Sequence, residues 1–261
     1  MNMKRLIYQV YLGKKNNLYD FCTASVKEYA KEYGIDHFLQ TKPILRIAPD
    51  PFNSGRSPQA TANHGGFLPI FEKENAFRFI DEYDQIAIID ADIFAKPNIP
   101  NIFEEFGTDH AWGSVVEREM PLEQWYQEKI RNYSQMQYNT LKDCNWKWNN
   151  LGGEFFNMGM ILINCKLLKP YLHGQGPAEF LDRWEFKRFV DGVGAWKWST
   201  DQTLLNWWLK REKISVKHMD WKWNGLFTAN NKITECHFVH FFLRSKLPNN
   251  GENIDELMMR I

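Results

Sequence analysis

The chain has 261 residues, 44% of them hydrophobic and 25% charged, an ordinary globular balance that suits one α/β domain. Lysine plus arginine and aspartate plus glutamate both total 32, so the formal net charge is zero. That excludes a protein that coats nucleic acid or a polybasic membrane surface, and leaves only local basic patches open.

In chain order, Lys4 to Tyr11 reads as a first strand, ended by Gly13. Leu18, Phe21, Cys22, Val26, Tyr29, Ala30 and Tyr33 recur at helical spacing, with Gly34 placed to terminate the helix. Ile35 to Gln40 forms the next strand, with Ile44 to Ile47 a candidate continuation. This β-α-β opening suits a nucleotide-binding half-sheet. Ala48 to Gly66, rich in proline and glycine, is a long loop, read either as a lid or as a surface excursion. Phe71 to Ile80 predicts a helix leading into the run Gln85-Ile86-Ala87-Ile88-Ile89. Lys96 to Pro100 is a turn, Ala111 to Val116 a strand, and Leu122 to Leu141 a long helix. Phe155 to Asn164 is a second buried strand. Ala178 to Val190 is helical, and Ser199-Thr200-Asp201 caps a helix through Trp208. Cys236 to Phe242 is a late strand, and Glu252 to Ile261 a short amphipathic helix.

Cys22, Cys144, Cys165 and Cys236 form neither C-x-x-C nor a zinc spacing, so reduced and mostly buried thiols are expected. No run reaches transmembrane length and no secretory signal is visible, which gives a cytoplasmic expectation. Three Trp-Lys-Trp triplets start at Trp146, Trp196 and Trp221. On a strand each would place both indoles on one face, either as a sugar platform or as ordinary packing.

The chemistry concentrates where the Ile86–Ile89 run meets Asp90-Ala91-Asp92. Alternate residues of a strand face one way, so both carboxylates are expected together at the strand's carboxyl end, where open α/β sheets bind ligands. Two adjacent carboxylates repel unless a cation lies between them, and hard oxygen donors suit Mg²⁺ or Mn²⁺ bridging to substrate phosphates. The plainer alternative is two solvated or capping aspartates.

Four separated pieces occur in one order: Ile-Ile-Asp90-Ala-Asp92, Phe156-Asn157-Met158-Gly159-Met160-Ile161-Leu162-Ile163-Asn164, Asp201-Gln202-Thr203-Leu204-Leu205-Asn206, and His240-Phe-Phe-Leu243-Arg-Ser-Lys246. Together they resemble family 8 glycosyltransferases of the GT-A fold, over roughly residues 71–248. The resemblance implies a single α/β domain with a mostly parallel sheet flanked by helices, with a nucleotide-sugar half near 1–118 and an acceptor half near 119–261. It implies Asp90, Asp92 and His240 as ligands of Mn²⁺ or Mg²⁺. It places Lys73, Asp90, Ala91, Asn157 and Lys246 at a nucleotide-sugar donor, UDP-linked by default, and Asp201 and Gln202 beside the reacting carbon. Transfer to a glycan or glycoconjugate with retention is the expected activity, with no nucleic-acid partner and no transmembrane segment.

The chain departs from that pattern at Leu243, where the family has glycine, and at Leu247, inserted before Pro248. It departs again at Leu12-Gly13-Lys14-Lys15-Asn16, where the family carries acidic or amide side chains for the base. Alternatives are a GT-A-like domain that binds without turnover, and a D-x-D phosphohydrolase. The latter expects its motif on the first strand, followed two residues later by threonine or valine, whereas Phe94 stands here. Regions 121–150 and 191–225 are candidates for acceptor contacts.

Overall fold

Continuous apolar runs fold as strands buried on both faces. In the computed structural model, which describes residues 3–62 and 64–261, six strands form the central sheet, with such runs at its centre. They are β1 (Arg5–Val10), β2 (Asp36–Gln40), β3 (Gln85–Ile89), β5 (Trp112–Ser114), β6 (Met160–Asn164) and β7 (Val216–His218), in the order β2-β1-β3-β6-β5-β7. Neighbours run parallel except at β6, which is antiparallel to β3 and β5. All five residues of β3 are buried. Leu6 and Tyr8 pair with Ile86 and Ile88 on one side, and Ile163 and Ile161 pair with the same residues on the other.

A second, three-stranded sheet adjoins the end of β3. It contains β4 (Ile93–Ala95), β8 (Gly225–Leu226) and β9 (Phe238–His240), with β9 central and antiparallel to β4. His240 pairs with Ile93, and the Phe241 amide donates to the Asp92 carbonyl at 2.9 Å. Helix α1 (Asn17–Glu32) begins with Asn16 accepting from the Tyr19 amide. It ends as expected at Gly34, whose φ of +63° lets Gly34 and Ile35 donate back to Lys31 and Ala30. Helix α2 (Gln124–Tyr138) is uninterrupted, and α3 (Asp201–Arg211) starts from the Thr200 cap. Leu18 and Cys22 of α1 pack with Phe94, Val239, Phe241 and Leu257, tying the C-terminal segment to the N-terminal helix.

Several expectations need correction. Residues 69–79 form a 3₁₀ helix, not an α-helix. Three residues per turn stack Phe71, Glu74 and Phe77 inward, and set Ile70 and Lys73 on the next row. Strand β6 begins only at Met160. Before it, Asn206 takes the place of a strand partner: its side chain accepts from the Phe156 amide and donates to the Phe156 carbonyl. Asn157 then bends the chain by accepting from Gly159 N at 2.9 Å. The helix expected over 178–190 is three short pieces, broken at extended Arg183, whose guanidinium donates to Gln175 and Tyr171 O. Strand β7, three residues long, was not anticipated. The triplets starting at Trp196 and Trp221 lie on 3₁₀ turns, so the strand-face reading does not apply to them.

The 48–66 loop is pinned down. Arg56 donates to the carbonyls of Phe189, Val190 and Ser199 at 2.6–3.1 Å, and Gly55 N donates to Asp191 O. A Cβ on Gly55 would lie 2.3 Å from Gly192 O, so glycine permits this approach. Arg56→Ala is expected to lower stability by roughly 2–4 kcal/mol, since three charge-assisted bonds are lost. Denaturant unfolding measures this, and limited proteolysis should show faster cleavage within 48–66.

Candidate active site

The turn after β3 assembles the carboxylates. Asp90 N donates to Gly159 O at 2.8 Å, and Ile93 N to Asp90 O at 3.1 Å, so the pleat stops at Ile89. Asp90 and Asp92 converge through this tight turn, not through continued extension. His240 completes a triangle with them, one ligand atom from each residue lying within 4.8 Å of the others. His240 Nε2 stands 3.2 Å from Asp92 Oδ1 and 3.9 Å from Asp90 Oδ2. Metal–ligand bonds near 2.1 Å would separate cis ligands by about 3 Å and trans ligands by about 4.2 Å. The triangle therefore needs only small closure to fit one cation. Its two carboxylates and one imidazole are donors that such an ion takes.

Lys73 binds this triangle to helix α3. Its ammonium lies 2.9 Å from Asp90 Oδ1, 2.8 Å from Asp201 Oδ2 and 2.9 Å from the Met158 carbonyl. Burial alone would lower its pKa, but Asp201 and then Asp90 hold it above the ordinary lysine value. Burial raises the Asp90 carboxyl against the pull of Lys73. At Asp92 burial acts upward too, but His240 outweighs it with the other contacts and the net shift is down. Burial would depress His240, and Asp92 more than reverses this. Glu74 is buried, neither of its oxygens has a partner among the described residues, and burial and then Asp201 raise its carboxyl well above the ordinary value.

A directed chain of hydrogen bonds sets the histidine. Glu117 Oε1 accepts from Tyr126 at 2.7 Å, and Oε2 accepts from Asn157 Nδ2 at 3.0 Å and Gln202 Nε2 at 3.2 Å. Asn157 Oδ1 then accepts from Asn224 Nδ2 at 2.7 Å, and Asn224 Oδ1 faces His240 Nδ1 at 3.1 Å. The Gly159 amide can only donate, so Asn157 Oδ1 is an acceptor, the chain has one sense, and the proton is assigned to Nδ1. Nε2 is thereby turned toward the aspartates. Burial raises the Glu117 carboxyl, and the three donated bonds pull against it.

A cavity of about 620 Å³ opens over these groups. Lys73, Asp90, Ala91, Asp92, Asn157, Asp201, Gln202 and His240, all singled out in the sequence, line it together. Lys246 does not line it; its ammonium sits 3.4 Å from the centre of the Trp125 indole. Of the base-side segment Leu12 reaches the cavity, joined by Tyr19 from α1. Region 121–150 contributes Tyr126, Lys129, Ile130 and Tyr133. Sequence reading missed Glu117, Asn224 and Glu74. None belongs to one of the four motifs, and only folding brings Glu117 and Asn224 to their partners.

No protein-family model matches the chain, and no characterised protein matches it by sequence. Its backbone is nevertheless similar to solved glycosyltransferases. The galactosyltransferase LgtC in complex with donor and acceptor sugar analogues is 14% identical, with a TM-score of 0.54 over 97% of this chain and 94% of that one. Mouse xyloside xylosyltransferase 1 in its apo form is 15% identical, with a TM-score of 0.53 over 94% of this chain and 100% of that one. The chain has the GT-A fold of these glycosyltransferases: a mixed α/β domain around a mostly parallel sheet. Among the described residues no helix is long and apolar enough to cross a membrane.

Two substitutions test the site. A Cβ at Gly159 would come within 2.5 Å of His240 Cε1. Gly159→Ala should therefore displace the imidazole and shrink the rise in Tm that saturating Mn²⁺ produces in the unsubstituted protein. Glu117→Ala leaves the donors of Tyr126, Asn157 and Gln202 unmatched in the interior. A loss of roughly 2–4 kcal/mol in denaturant unfolding is expected.

Proposed function

We propose that this protein is a metal-dependent glycosyltransferase. It moves a sugar from a nucleoside diphosphate donor, UDP-linked by default, to a hydroxyl of a glycan or glycoconjugate. The observation that carries the reading is the Asp90–Asp92–His240 triangle, opening on the same cavity as Asp201 and Gln202. Two carboxylates with one imidazole favour Mn²⁺, with Mg²⁺ as the substitute. When bound, the ion neutralises charge growing on the diphosphate.

The chain's own groups do the rest. Residues 1–118 hold the donor, and 119–261 close over it and receive the acceptor. Lys73 bonds to both Asp90 and Asp201 and fixes them in relation to each other. Asp201 stabilises positive charge at the anomeric carbon. Gln202 gives its amide nitrogen to Glu117, which leaves its carbonyl oxygen as the end available to the sugar. The anomeric carbon–diphosphate bond breaks and the acceptor oxygen bonds to that carbon on the same face. The hydroxyl proton leaves with the diphosphate, and configuration is retained.

The test is nucleotide release from UDP-, GDP-, ADP- and CMP-sugars, with Mn²⁺ or with EDTA. Release from one nucleotide class, abolished by EDTA, is expected, with Asp92→Ala and Asp201→Ala each lowering it by at least ~10²-fold. Folded protein that neither releases nucleotide nor gains thermal stability from any donor would sink the proposal.

A further inference from the structure

We infer that Leu243 is a specificity-determining residue: it closes an apolar acceptor subsite with Tyr126, Ile130 and Phe242, built for a hydroxyl carried next to an aryl or alkyl group. The inference rests on the transferase reading above and deepens it.

The starting observation is backbone strain. Leu243 has φ +55° and ψ +57°, the left-handed region that glycine enters freely and a Cβ disfavours. Other non-glycine residues with positive φ among those described are Arg46, Asn98, His173, Lys213, Asn249 and Asn250. Asparagine and histidine tolerate the region comparatively well. Leu243 is the aliphatic member of that group, and of the group it alone lines the cavity. Its side chain is only half-buried: one side packs against the core and the other lines the cavity, so core packing uses only part of it. Strain held at a cavity wall points to a contact completed by the ligand.

The surroundings fit. Lys246 N donates to Leu243 O at 2.7 Å, locking the turn that presents the side chain. Phe242 meets Tyr126 edge to face with ring centres 5.2 Å apart, and Ile130 follows Tyr126 by one helical turn on α2. Phe242 also lies beside the metal triangle, its ring centre 5.8 Å from that of His240. A group resting on this wall is thus held next to the reacting centre. A free sugar offers hydroxyls that these four side chains leave unpaired, whereas an apolar substituent is desolvated against them.

The experiment uses paired acceptors, 4-nitrophenyl and methyl glycosides of the same sugars, with whichever donor releases nucleotide. The aryl member should exceed the methyl member in kcat/KM by about tenfold or more, the order of discrimination an apolar pocket supplies. Leu243→Gly and Leu243→Ala should each collapse that ratio toward unity, because both remove the contact while only glycine removes the strain. Equal use of both glycosides by the unsubstituted protein overturns the inference, as does a ratio that only Leu243→Gly changes. Titration calorimetry with the 4-nitrophenyl glycosides alone needs no turnover. Where no donor gives either nucleotide release or thermal stabilisation, a roughly tenfold affinity loss in both variants still supports the subsite while the transferase reading fails. Unaltered affinity removes the subsite.

Discussion

One buried ammonium holds the site together. Lys73 lies between Asp90 and Asp201 and also reaches the Met158 carbonyl. It therefore joins the end of β3, the start of α3 and the segment before β6. Ions withdrawn from water need such close pairing, and deleting one partner of a buried pair typically costs about 3–5 kcal/mol. Lying between them, Lys73 fixes its two carboxylates at a set separation. The 3₁₀ winding of 69–79 follows from the same need. It sets Lys73 toward the cavity while Phe71 and Phe77 fill the core.

The second constraint is directional. Glu117 accepts from three side chains, and one of these starts the amide chain ending at His240 Nδ1. Ring nitrogens of a metal-ligating histidine are commonly fixed by the bond that the other nitrogen makes. Here the fixing group is a buried carboxylate three residues beyond β5, which also orients Gln202. The two ends of the cavity, metal side and sugar side, thus share one anchor.

Much of this was legible from the residues. β1, β3 and the helices α1, α2 and α3 follow from apolar periodicity, the Gly34 stop and the cap at Thr200. The convergence of Asp90, Asp92 and His240 follows from four ordered motifs. The rest depended on contacts that no local pattern records. β7 is too short to show alternation. The break at Arg183 exists because its guanidinium finds Gln175 and Tyr171 O. Phe155 to Gly159 reads as strand, but Asn206, fifty residues away, supplies the bonds that a neighbouring strand would have given. Glu117 and Asn224 carry no signal at all until the fold joins them. Lys246, marked by its motif, lies against Trp125, outside the cavity lining.

The antiparallel insertion of β6 dictates when the site comes into being during synthesis. β3 finds one neighbour in β1 early, but the other is contributed by residues 160–164, and the strand bearing His240 must then dock on β4. Closures between such distant stretches come late and slowly, after local helices have formed. A ribosome must therefore release nearly the whole of this sequence before the two aspartates acquire their histidine. Until residues 160–164 arrive, one edge of the apolar β3 run lacks its neighbour, and such an open edge is where the nascent chain is most exposed to wrong pairing.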